Sequence, residues 1–126
     1  MARVEDGWYS MYIGQGEPVW ITDDYCTRFR LPATETGYGH SAEDVAEFPA
    51  LPMADVLGYF DAVRARTLEV LDSLTEDDLS QTRPWKRGDP PPTVAWVLGH
   101  VLIEIEQGQH LGQVAYLRGI LRGIGN

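Results

Sequence analysis

From Thr93 to Leu121 no proline interrupts the chain, and apolar or small residues return at every third or fourth position. That is the period of a helix face. One stripe runs Val94, Val97, Leu98, Val101, Ile105, Gly108, Gly112, Ala115 and Gly119. A second takes in Leu102, Ile103, Glu106, His110, Gln113, Val114 and Leu117. At ~1.5 Å per residue such a helix is roughly 40 Å long. Pro91 and Pro92 suit its first turn, and GIGN closes it as a C-cap. A helix with two largely apolar stripes has to be covered on several sides. The pattern therefore predicts an all-α bundle with this helix at its centre.

The rest of the chain supplies the expected cover. Residues 2 to about 14 repeat Val4, Trp8, Met11 and Tyr12 at helical steps. This helix starts at once, with no cap or lead-in before Ala2, and reads like the second half of something longer. Trp8, Tyr9 and Tyr12 are expected in the core. Residues 15–40 hold glycines, two prolines and polar residues, and predict a long loop. Within it VWIT and TRFRL read as short extended pieces, or the loop hides short helices. Ser41 with Asp44 approximates a capping box for a short helix over 41–48, stopped by Pro49 and Pro52. A long helix is predicted over 53–74, with Met53, Val56, Leu57, Phe60, Val63, Thr67, Leu71 and Leu74 on its core face. Thr75 can cap one more turn, and residues 81–92 form a loop. At 126 residues all this is expected to form a single domain, 1–126, able to bury a core.

Charge removes several function classes. Nineteen acids against 10 bases give a net charge of −9. Sequence-independent nucleic-acid binding and attraction to anionic lipid both need the opposite sign. Cys26 is the only cysteine, so neither an internal disulfide nor a two-cysteine metal site can form within one chain. The start, MARVEDGWYS, has no apolar core of a leader, and no run reaches the ~20 apolar residues of a membrane span. A reduced, cytoplasmic setting is the expectation.

Chemistry concentrates in EIEQGQHLGQVAYLR, residues 104–118. Glu106 and His110 stand four residues apart and project from the same side of the helix. A carboxylate and a neutral imidazole both suit a divalent metal such as zinc. Two ligands fall short of the three that a catalytic zinc takes from its protein. The plainer alternative is an intrahelical hydrogen bond between the two. His100, ten residues earlier, is turned about 80° away at ~100° per residue, which suits packing or capping better than ligation. His40, in GYGHS, lies in the long loop, where it can swing over a site or simply be solvated. Arg118, two turns past His110 with Gln113 between, can bind an anionic group or favour the helix end. Cys26, in DDYCTR, has carboxylates beside it that disfavour a thiolate.

The run EQGQHLGQVAYLRG resembles the last helix of the DinB-like (damage-inducible) superfamily. There a ligand, three residues, a His, a small residue and a Gln follow in order. Glu106, His110 and Gln113 fall on that pattern, and Glu in the first place is similar to the mycothiol-dependent maleylpyruvate isomerase branch. WVLGHV, the helix ending DSLTEDDL, and VEDGWYSMYI, similar to the second helix of that family, agree in order and spacing. The resemblance implies an up-down-down-up four-helix bundle with a zinc or nickel ion on three residues. Glu106 and His110 would be two of them, Gln113 would orient a ligand, and Arg118 would anchor substrate. The family's third ligand, a His, would fall just before Met1, and its first helix before that. Both are expected to be absent, with His40, His100 or a second subunit as candidate sources of the third ligand. An uncovered apolar groove would then be closed by a homodimer. The function implied is a metal-dependent enzyme, a transferase or isomerase using a low-molecular-weight thiol such as mycothiol or bacillithiol, or a hydrolase. A non-catalytic dimeric helical module that has lost its metal site is the alternative.

Overall fold

A computed structural model describes residues 1–84 and 90–123, with the side chains of 102–107 outside that description. The described residues are all-α: they form helices and turns, joined by one isolated antiparallel bridge, Thr82 to Thr93. None of their helices is long and apolar enough to cross a membrane. The chain divides into two compact units, Ala2–Leu74 and Thr75–Asn126.

In the first unit, helix α1 (Ala2–Asp6) runs directly into a π-helical segment, Gly7–Ile13. The wider turn closes where the Gly14 N–H bonds to the Tyr9 carbonyl at 2.8 Å. A side chain at 14 would meet the Ser10 and Tyr9 carbonyls at 3.0 Å and Val70 at 3.1 Å, so the crowding calls for glycine.

The long loop holds two short helices, α2 (Val19–Thr22) and α3 (Tyr25–Phe29). The extended reading of VWIT and TRFRL is thereby corrected. Four- and five-residue helices carry no period of their own. Helix α2 follows an extended Pro18, and its first N–H groups are capped from a distance by Asp6. Asp24 and Arg30, both left-handed at φ 59° and 56°, bound α3. Helix α4 (Ala42–Glu47) starts on a complete capping box: Ser41 accepts from the Asp44 N–H, and Asp44 accepts from the Ser41 N–H at 2.7 Å.

Helix α5 (Met53–Ser73) is the long element of this unit. Its buried face is Tyr59, Val63, Thr67 and Val70. The core face expected from the apolar spacing was drawn too far round, because Met53, Val56 and Leu57 are exposed. Val63 and Thr67 are buried as expected; Tyr59, which the apolar spacing passes over, is buried with its hydroxyl on the buried Asp6. Val19, Trp20, Tyr25, Phe29, Tyr59 and Val63 form one core cluster. Its rings meet at angles: Tyr25 and Tyr59 lie 4.8 Å apart and Trp20 and Tyr59 5.5 Å, near edge-to-face. The Arg3 guanidinium covers the Trp20 ring at 4.8 Å.

The second unit opens with a 3-10 turn, Asp77–Ser80. The Asp78 carboxylate accepts from the Thr75 N–H and hydroxyl and from Arg83 at 2.9 Å, which holds its carboxyl down at about 2. The Val94 N–H bonds to the Gln81 carbonyl at 2.9 Å. Helix α6 (Val94–Val97) is capped by the Thr93 hydroxyl on the Trp96 N–H. It continues as a π-helical segment, Leu98–Gln109, and then as α7 (His110–Arg122), ending at Gly123 with φ 81°. Val94, Val97 and Val101 are buried. Helix α7 has no buried residue.

Candidate metal centre

His110 opens α7, where the π-helical segment gives way to ordinary helix. Changes of helical register of this kind recur at functional sites. Its Nδ1 lies 2.8 Å from Gln113 Oε1, one turn on. An amide oxygen can only accept, so Nδ1 carries the proton and the lone pair of the neutral ring sits on Nε2. This is the arrangement in which imidazole ligates a metal, its second nitrogen fixed by an outer partner. The i,i+3 spacing of His and Gln was visible in the sequence. His110 is half-buried and Gln113 exposed.

Glu106 lies in the π-helical segment, and its side chain is among those outside the described residues. Among the described residues no three His, Cys, Asp or Glu side chains converge as a metal cage would require. The two candidate extra ligands are placed as follows. His100 stacks on Trp96, ring centres 4.1 Å apart and planes at 32°. In the other unit, His40 Nε2 lies 3.0 Å from Glu35 Oε1. The same oxygen accepts from the Gly37 N–H, and that bond, more than His40, holds the Glu35 carboxyl below its ordinary range. Arg118 is exposed on α7 and has no partner among the described residues. Cys26 is a free thiol, half-buried beside Thr27.

Sequence reasoning passed over the most heavily bonded polar group of the first unit. Asp6 is fully buried. Its Oδ1 accepts from the Val19 N–H at 2.8 Å and the Ser10 hydroxyl at 2.7 Å. Its Oδ2 accepts from the Trp20 N–H and the Tyr59 hydroxyl, each at 2.9 Å, with Arg3 at 3.5 Å. Beside it Glu5, also buried, accepts from the Thr67 hydroxyl at 2.8 Å and pairs with Arg64 at 3.1 Å. These bonds hold α1, α2 and α5 together. The only signal in the sequence was the pair of acids inside an otherwise apolar period. Burial, with the Tyr59–Asp6 contact, pushes the Tyr59 phenol far above its ordinary value. Tyr9 is raised too, first by burial and then by Glu5. Its hydroxyl has no hydrogen-bond partner among the described residues.

Over 77 residues the chain is 35% identical to the hercynine oxygenase of Mycolicibacterium smegmatis (strain ATCC 700084 / mc(2)155). The matched stretch is 56% of this chain and 18% of that protein, so the chain spans only a small part of the relative's length. A family model matches residues 18–114, a range that takes in Glu106, His110 and Gln113. That range is more than half of the chain, the all-α fold agrees with it, and the chain belongs to the DinB superfamily.

Proposed function

We propose that this chain carries the metal-binding helix of a metal-dependent enzyme of DinB type, with Glu106 and His110 as two of the ligands. The observation that carries the reading is the His110–Gln113 hydrogen bond, which fixes the imidazole in its ligating tautomer. Gln113 is the positioning residue, and Arg118 is the anchor for an anionic part of the substrate. The third ligand comes from His40, from His100 or from beyond these residues. A divalent ion held by these residues would lower the pKa of a bound thiol or water. The reaction class is thiol-dependent transfer or isomerisation, or hydrolysis.

A second reading rests on the relative's name. A protein called hercynine oxygenase matches 77 residues of this chain. An imidazole and a carboxylate joined by a second imidazole form the ligand set of non-haem iron oxygenases. Oxygen-dependent chemistry on a small molecule is therefore the competing assignment.

One measurement separates these readings: elemental mass spectrometry of the purified protein beside Glu106→Ala, His110→Ala and Gln113→Ala. About one zinc or nickel per chain, lost in the first two variants and bound roughly 10- to 100-fold more weakly in the third, supports the thiol or hydrolytic enzyme. Iron in the same pattern supports the oxygenase. No metal after incubation with excess zinc, nickel and ferrous iron overturns both in favour of a non-catalytic helical module.

A further inference from the structure

We draw no further inference here: the strongest candidate, the clasp of His40 on Glu35 that closes the exposed Tyr38 loop of the first unit, turns on a histidine already named as a candidate metal ligand and so belongs to the site already described.

Discussion

The two ends of this molecule treat water in opposite ways. Residues 2–74 take charge inside: Asp6 and Glu5 are buried, and each carboxylate oxygen meets donors from another part of the unit. Helix α7 leaves hydrocarbon outside, with Leu121 84% exposed. The first arrangement is stable because a buried carboxylate is tolerable when its hydrogen bonds are complete. The second leaves apolar side chains facing water, which costs free energy in proportion to the exposed area. A residue's polarity alone therefore does not say where it ends up; the partners within reach do.

The strongest way to break this contrast is Asp6→Ala. It strands two backbone N–H groups and two hydroxyls in the interior and should cost about 3–5 kcal/mol, read as a lowered urea midpoint. That is a large part of the stability of a small domain. Tyr59→Phe removes one donor to the same carboxylate and should cost about 1.5–3 kcal/mol, with the ring packing kept. A matched pair sharpens the comparison. Val63→Ala, at a position 1% exposed, should cost about 2 kcal/mol. Val114→Ala, at a position 57% exposed, should change stability by less than about 0.5 kcal/mol. Equal effects would break the contrast between the two positions. The smallest effect is on pH dependence. Asp78 has its folded pKa depressed to about 2 by Thr75 and Arg83. The stabilisation it gives is complete above the ordinary aspartate range and is lost as pH falls from about 4 towards 2. Carboxyl NMR titration of wild type beside Arg83→Ala, in which the pKa should rise, measures it.

What could be read from the sequence divides along the same line. Helix α5 was legible because 21 residues give the helical period several repeats. The Ser41–Asp44 box was legible because its two partners sit three residues apart. His110 and Gln113 were legible as neighbours for the same reason. Helix α2 was not, because its cap comes from Asp6, 13 and 14 residues upstream. Nor was the burial of Tyr59 on α5, whose hydroxyl reaches an acid 53 residues away, whereas Val63 and Thr67 fell on the expected face. The π-helical segments leave no mark that a period of 3.6 would show. Exposure of α7 was hidden by its own composition, which asks for cover without saying whose. The Glu106 side chain, on which half of the metal reading rests, is outside the described residues.

The grip of Asp6 on α2 also has a kinetic side. The Val19 and Trp20 amides open a helix of only four residues, in a stretch bounded by turns. Hydrogens in such a place ordinarily exchange with solvent almost at once. Here each is spent on a carboxylate that no water reaches and that is tied in turn to α5. Neither hydrogen can leave until α1 and α5 part. In deuterated solvent these two amides should be among the last to vanish, a pair of slow clocks set in what looks like a loop, timing the opening of the whole first unit.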